Sequence, residues 1–458
     1  MEAHIGIVGG GITGLITAYL LRREGIQATV YEANPEVGGA MKSHRKDGWI
    51  AEKGPNTIMA RSQELLDLLE QLGLKEELLF ADSDASKRFI VRNQKPVAMP
   101  TSLFNFLTTD LFSNLAKLRL LKEPFIQKWS RDHEENLAEF VERRLGSEFL
   151  DYAINPFVAG VYAGDPRHLS VKHAFEKLYN LEQDYGSLIW GQIRGAKERN
   201  ERNEKPKTES RLFSFRDGIQ QLPERLAEIL AGQLLVNCRV DSITKEDNKW
   251  TIKATHNRDK IEARHDAVIY TAPIHALDKL EINVDVPVDL DIFNNVTYPP
   301  ISVMALGFNQ VHITHELDGF GMLVPKKESY NILGTLFSST LFPNRAPDGQ
   351  VLLTTFVGGM RNPDLAGLPT DELREMVIAD LDDLLGVIGG PVFEHHTYWP
   401  KSIPQYDVGY SHVHEAFDDI EQNCPGFLFA GNYRYGISVS DCITSGYTVR
   451  DRVVELLN

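Results

Sequence analysis

The stretch that decides the fold is Ile5-Gly6-Ile7-Val8-Gly9-Gly10-Gly11-Ile12-Thr13-Gly14-Leu15, followed after one helical segment by Ala28-Thr29-Val30-Tyr31-Glu32. A short apolar run leads into glycines, and Leu15–Arg23 then shows helical apolar spacing before a second apolar strand. This is a strand–helix–strand unit of about 30 residues, the opening of a doubly wound α/β fold. The glycines fit G-x-G-x-x-G: Gly9 permits the tight turn, Gly11 lets backbone approach a pyrophosphate, and Gly14 lets helix pack on strand. Ile12 and Thr13 start the helix, whose unpaired N–H groups and partial positive charge favour phosphate. Glu32 ends the second strand, where a carboxylate accepts hydrogen bonds from ribose hydroxyls.

Two further glycine-containing elements extend this dinucleotide signature. Ala33-Asn34-Pro35-Glu36-Val37-Gly38-Gly39-Ala40 follows the second strand, and its glycine pair lets a loop lie close to phosphates. Near the other end, Phe427–Ala430 reads as a strand running into Gly431-Asn432, then Gly436-Ile437-Ser438-Val439, with a closing helix expected near Gly446–Leu456. A strand, a glycine turn and a helix N-terminus make a second cap for anions or carbonyls. The binding domain is thus expected to be discontinuous and built from both ends of the chain.

Composition bounds the rest. At 458 residues, 42% hydrophobic and 24% charged, the chain has room for two or three packed units. A net charge of −16 argues against a nucleic-acid partner. Cys238, Cys424 and Cys442 form no C-x-x-C pair, so neither a disulfide framework nor a thiolate metal site is expected, and reduced, cytosol-facing thiols follow. The first strand begins within four residues, which leaves no room for a signal peptide, and no apolar run reaches the length of a membrane span. His395-His396 and the i, i+2 pair His412/His414, read as lying on a strand, lack the carboxylate or cysteine companions of a metal site, so no metal is expected.

The pattern divides the chain into parts 1–79, 211–275 and 401–458 of the dinucleotide domain, a mostly helical insertion at 80–210, and a sheet-based substrate domain at 276–400. A helix is expected at Ser62–Leu72, helical stretches around Leu103–Leu121, His133–Leu145 and Val171–Tyr185, and a solvated charged run at Lys197–Lys205. Strands are expected at Phe89–Arg92, Val236–Ile243, Val303–Phe308, Asn331–Phe337 and Val351–Val357, with a helix at Asp371–Leu385. Leu103-Phe104-Asn105-Phe106-Leu107, Leu111-Phe112 and Leu115–Leu121 give the insertion an apolar face suited either to burial or to a lipid interface.

With its second glycine pair the chain resembles the FAD-dependent amine oxidase superfamily. The segments Asn155–Pro166, Asp217-Gly218-Ile219-Gln220-Gln221-Leu222-Pro223, Gly319–Pro325, Thr354–Gly359 and Ala430–Ile443 resemble, in order, the signatures of oxygen-dependent protoporphyrinogen oxidases. The resemblance implies FAD as cofactor and a six-electron oxidation of a porphyrinogen, with oxygen as acceptor and peroxide as by-product. It places Gly54-Pro55-Asn56-Thr57, Val240 and Trp399 at the cofactor, beside the glycine elements and Glu32. It places Arg88 on a propionate, Phe320 and Leu323 against one face of the macrocycle, Leu336 and Phe356 on the other wall, and Gly160 at close backbone approach. No side chain is singled out as an acid or base. The family often carries tryptophan or arginine after the second glycine pair, where this chain has Ala40-Met41-Lys42. Coproporphyrinogen oxidation, another amine oxidase or desaturase activity, and a non-catalytic FAD-binding scaffold stay open as alternatives. So do a homodimer and peripheral membrane contact of a cytoplasmic protein.

Overall fold

The computed structural model describes residues 3–82, 85, 87–131, 133–201, 211–284 and 289–458. His4–Val8 and Gln27–Tyr31 pair in parallel, Ile5 opposite Ala28 and Val8 opposite Tyr31, with the helix Ile12–Arg23 between them in the chain. Leu234–Leu235 adds outside Gln27–Tyr31, and Ala267–Tyr270 and then Phe427–Phe429 add on the other side, giving a five-stranded parallel sheet. Such strands read as continuous apolar runs because both faces are covered. A four-stranded sheet lies over one face, where a Cβ on Gly6 would come within 2.6 Å of Ile252 Cδ1. On the other, the helix Val439–Leu457 packs across Ile12–Arg23 at Gly446, whose missing side chain admits Ile16. Both chain ends therefore build one domain.

The second large sheet has seven strands, in the order Phe393–Trp399, Ile301–Asn309, Gln350–Gly358, Ile332–Phe337, Gly321–Leu323, Arg88–Arg92 and Lys95–Ala98. Lateral neighbours share a face, so the registers sort its residues. One face carries Met304, Phe308, Met322, Phe337, Leu353 and Val357, and packs on Leu373, Val377 and Leu381 of the helix Thr370–Leu385. The opposite face carries Arg88, Ile90, Leu323, Leu336, Phe356, Val303 and Trp399.

Several elements differ from expectation. The strand Arg88–Arg92, expected from Phe89 at the start of the helical insertion, pairs in parallel with Gly321–Leu323, and Lys95–Ala98 pairs beside it, so the first α-helix described in that part is Leu103–Thr108. Glu281–Asn283 pairs with Cys238–Glu246 rather than with the substrate sheet. His412 and His414 sit on the helix Tyr410–Asn423, not on a strand. The closing helix starts at Val439, because Ser438 and Asp441 form a capping box there. Helix Gln63–Gln71 forms as expected, with Ser62 accepting from Leu65 N–H and Gly73 at φ +72 just beyond its end. The expected helical stretches resolve into shorter pieces, among them Leu103–Thr108, Asn114–Arg119, Leu137–Arg144 and Glu176–Tyr185, and a further helix, Asn155–Tyr162, forms between them. Their core, with Phe112, Phe140, Val141 and Phe149, includes Ile90 and so seats the helices on the second face of the sheet. Of the charged run Lys197–Lys205, residues 202–205 lie outside the described residues.

Candidate active site

The glycine loop lies at the carboxyl end of His4–Val8. Gly9 takes φ +110, and a Cβ there would meet Ala272 N at 2.7 Å. A Cβ on Gly14 would run into the Gly9 carbonyl, a backbone atom that cannot swing aside. Gly11 is different: a Cβ there meets nothing within 4 Å, so open space lies above it. The second glycine pair borders that space. Gly38 N–H donates to Gly10 O at 2.8 Å, Gly11 and Gly38 form a parallel bridge, and Gly39 faces Gly11 Cα. Ala33, Gly39 and Ala40 are exposed, whereas Ile12, Thr13 and Glu32 are buried. Glu32 accepts from Gly10 N–H at 2.7 Å and, through its other oxygen, from Asn34 N–H at 2.8 Å and Asn34 Nδ2 at 2.7 Å. Each carboxylate oxygen has about two lone-pair sites, so acceptor capacity remains for ribose hydroxyls. Val240 is half-buried on the strand Cys238–Glu246, at the bulge where pairing shifts register, and Cys238 N–H donates to Glu32 O.

The loop Gly54–Thr57, expected at the flavin, is drawn against Ala40, because a Cβ on Gly54 would strike the Ala40 carbonyl. Asn56 Nδ2 donates to Gly54 O at 3.0 Å, and Pro55 and Thr57 are half-buried alongside. Trp399 Nε1 donates to Lys53 O at 2.7 Å, which fixes the indole beside this loop. Gly431 N–H donates to Ser445 Oγ, and Thr13 Oγ1 donates to Cys442 O, so the C-terminal cap and the first glycine helix are tied together. Ile437, Ser438 and Val439 remain half-buried at the start of that helix. Two helix N-termini, two glycine loops and a buried carboxylate thus gather at the carboxyl end of the parallel sheet. That donor set, with open space above Gly11, fits a dinucleotide with an anionic middle and a hydroxyl-bearing end.

A clamp that sequence reasoning missed stands behind the loop. Glu52 is fully buried, accepts from Ile219 N–H at 2.9 Å and Ser43 Oγ at 2.5 Å, and lies 3.5 Å from Arg345 Nη2. Burial pushes its carboxyl up to about 7, against the opposing pull of Arg345. Arg345, also buried, donates to Ser214 Oγ at 2.8 Å and Phe215 O at 3.1 Å. Gly218 is glycine because a Cβ would lie 2.5 Å from Ser43 Oγ and 3.1 Å from Glu52 Oε1. The clamp joins the Asp217–Pro223 turn, the strand before Gly54 and the Pro343–Arg345 turn of the second domain. A charged residue closing the otherwise apolar strand Trp49-Ile50-Ala51-Glu52 is the sequence signal that marks it.

All six expected substrate residues come to one place. Leu323, Leu336 and Phe356 share the second sheet face because their strands are lateral neighbours, so Leu336 and Phe356 do not form the wall expected opposite Leu323, and Gly160 presses on Leu323 from the helix Asn155–Tyr162. Phe320 and Leu336 both pack against the cluster of Leu341 and Phe342, and Arg88 Cζ lies 5.5 Å from the Phe320 ring. Phe320, Leu323, Leu336 and Phe356 are half-exposed, although most of their strand neighbours are buried. Among the described residues Arg88 has no carboxylate partner. Phe356 and Trp399 cluster with Ala159, Ile301 and Val303, so the apolar face runs from Arg88 towards the cofactor loop. The histidines serve elsewhere: His396 bonds Ser302 and Thr370 hydroxyls, and His395 stacks on His44 at 4.0 Å, burial pulling its imidazole down to about 4. Among the described residues no group of three His, Cys, Asp or Glu is arranged to hold a metal.

Comparison with known proteins decides the family. The chain matches flavin containing amine oxidoreductase over residues 12–454. It belongs to that family. Protoporphyrinogen oxidase 2 of Arabidopsis thaliana is 39% identical over 99% of this chain and 94% of its own length. The mitochondrial protoporphyrinogen oxidase of Nicotiana tabacum is 38% identical over 99% and 95%. Coproporphyrinogen III oxidase of Bacillus subtilis is 27% identical over 97% and 96%. Among solved structures, one from Exiguobacterium sp. 255-15, provisionally assigned as a protoporphyrinogen oxidase, superposes with a TM-score of 0.81 at 25% identity, covering 99% of both chains. A reduced UDP-galactopyranose mutase shares the fold, with a TM-score of 0.76 at 18% identity over 100% and 94%. The flavoprotein is an FAD-dependent oxidoreductase of the protoporphyrinogen oxidase group, with the Rossmann-like architecture expected from its glycine loop.

Proposed function

We propose that the flavoprotein oxidises protoporphyrinogen IX to protoporphyrin IX, passing six electrons in three two-electron steps to oxygen with release of peroxide. The observation that carries the reading is the half-exposed apolar face of Phe320, Leu323, Leu336 and Phe356 with the guanidinium of Arg88, which has no carboxylate partner among the described residues, at its edge. A porphyrinogen is a mostly apolar macrocycle with carboxylates along one edge, and such a ligand calls for an apolar slot with few polar anchors. Arg88 holds a propionate through paired charge-assisted hydrogen bonds and so sets which edge faces outwards. Leu323, Leu336 and Phe356 cover the ring and exclude water. Gly160 keeps the helix Asn155–Tyr162 close to Leu323, which fixes the width of the slot. Bound FAD supplies the two-electron acceptor chemistry, and Glu32, the glycine loops and the two helix N-termini hold it. Protons leave from the carbon bridges and pyrrole nitrogens of the substrate to solvent, and no side chain is assigned as acid or base.

Relatives named coproporphyrinogen III oxidase support a second substrate with four carboxylates. Among the described residues Arg88 is the cation of that face's strand without a carboxylate partner, since Arg92 is paired with Glu148, and this favours the less charged porphyrinogen. Steady-state assays with each porphyrinogen, reading porphyrin fluorescence and peroxide together, test this. Three peroxides per protoporphyrin are expected, and turnover of coproporphyrinogen alone overturns the substrate assignment.

The helical part adds a surface for its greasy ligands. Leu115 is 81% exposed and Phe125 87%, with Leu103, Phe104, Leu118 and Leu121 also outward. Among the described residues no helix is long and apolar enough to cross a membrane. We assign this patch to peripheral contact with a lipid surface, reached from the cytoplasmic side.

A further inference from the structure

The loop from Asn432 to Gly436 lies between the last parallel strand and the helix Val439–Leu457, and buried phenols brace it. The Tyr406 hydroxyl spans both ends of the loop, donating to Asn432 O at 2.6 Å and accepting from Gly436 N–H at 2.9 Å. Tyr410 donates to Tyr433 O at 2.6 Å, and Tyr433 in turn donates to Tyr270 O at 2.7 Å on the central sheet. The rings of Tyr406 and Tyr410 stack at 4.5 Å. Burial holds the Tyr406 phenol well above its ordinary range, so it keeps the proton that it donates. Gly436 takes φ +118, and a Cβ there would come within 2.8 Å of Asp441, the residue whose carboxylate closes the capping box on Ser438. Whatever holds Gly436 therefore also sets where the helix begins. Its first-turn amides, Val439 and Ser440, have no partners within the helix.

We infer that Tyr406 is a positioning residue for the cofactor: its hydroxyl ties Asn432 to Gly436 and so aims the first-turn amides of the C-terminal helix at bound FAD. The inference rests on reading residues 431–439 as a cofactor element. Tyr406 touches no reacting atom on this account. It acts through the loop.

The test compares holoenzymes. Tyr406→Phe keeps the ring and removes both bonds, and the FAD dissociation constant is expected to rise about tenfold, the effect of one or two buried neutral hydrogen bonds. The midpoint potential and visible band of the bound flavin are expected to shift with it. Ser302→Ala removes a buried hydroxyl that donates to Ala366 O at 2.6 Å in the other domain, and serves as the stability control. It lowers the melting temperature but leaves FAD affinity and potential unchanged. If Tyr406→Phe behaves like Ser302→Ala, losing stability with wild-type affinity and potential, the inference is overturned. Should Tyr406→Phe not fold, Tyr410→Phe removes one bond to the same loop, and about a threefold weaker FAD complex is expected. An unchanged complex overturns the inference equally. Val439→Pro separates this idea from its premise. Ser438 is extended (φ −76, ψ 158), so proline fits at the first helical position while deleting one amide. If Val439→Pro weakens FAD binding and Tyr406→Phe does not, Tyr406 is structural and the element stands. If neither does, the element itself is misread.

Discussion

Replacing Arg345 by methionine removes a buried guanidinium from five groups at once: Glu52 Oε1 at 3.5 Å, Ser214 Oγ at 2.8 Å, Phe215 O at 3.1 Å, Asn344 Oδ1 at 2.8 Å and Arg216 O at 3.4 Å. Removing one member of a buried ion pair costs about 3–5 kcal/mol, because the other charge stays desolvated. Here Glu52 keeps Ser43 and Ile219 as donors, and its carboxyl already sits at about 7, so near neutrality it escapes by binding a proton. The expected cost near pH 7 is therefore at the lower end, about 3 kcal/mol. Above that the variant must hold a proton which the unfolded chain releases, so the cost grows by about 1.4 kcal/mol per pH unit. Urea unfolding of wild type, Arg345→Met, Glu52→Gln and the double variant at about pH 7 and about pH 8.5, followed by flavin fluorescence, completes the cycle. In the double variant there is no carboxylate to protect, and the extra loss at high pH should vanish. A cost for Arg345→Met that is independent of pH, and the same whether Glu52 is intact or replaced by glutamine, would refute the reasoning.

Three further outcomes follow from named residues. In the wild type, burial raises the folded carboxyl of Glu52 from 4.5 to about 7, so its contribution is complete below the unfolded value and is lost as pH climbs to the folded one. Across that window stability should fall by about 3 kcal/mol, and Glu52→Gln should flatten the slope in denaturation measured at several pH values. Arg88→Ala should raise KM for protoporphyrinogen about 10- to 100-fold, the loss of a charge-assisted bond of about 1.5–3 kcal/mol, with kcat little changed; an unaltered KM removes Arg88 from the site. Leu115→Glu with Phe125→Glu should shift the protein from floating liposomes to the soluble fraction without altering its melting temperature. Wild type that stays wholly soluble counts against lipid contact.

Much of the cofactor cleft is legible in the sequence because its demands are local. Gly9, Gly11 and Gly14 each answer a different steric condition within one turn, and those conditions appear in the structure as a strained φ, open space and a backbone clash. The six residues proposed for the substrate slot come only from resemblance to a family, since half-buried leucines and phenylalanines on strands look like core in any sequence. Phe89–Arg92 reads as a strand, but its place in the substrate sheet is hidden because its parallel partner Gly321–Leu323 comes far later in the chain. The helix Tyr410–Asn423 does have a signal, with Tyr410, Val413, Phe417 and Ile420 at helical spacing, yet the i, i+2 histidines on it imitate a strand. The true start of the C-terminal helix is written in Ser438-Val439-Ser440-Asp441, a capping-box pattern that apolar spacing alone passes over. The Glu52–Arg345 clamp joins residues 293 positions apart and has no local signature beyond a charge on an apolar strand.

On the proposed function a porphyrinogen gives up electrons to FAD between the glycine loops and the apolar sheet face. Anaerobic stopped-flow mixing of the holoenzyme with protoporphyrinogen IX, watching the oxidised flavin band, tests it most directly. Rapid bleaching is expected, faster than with coproporphyrinogen III and slowed at low substrate by Arg88→Ala. A flavin that remains oxidised in the presence of either porphyrinogen contradicts the account.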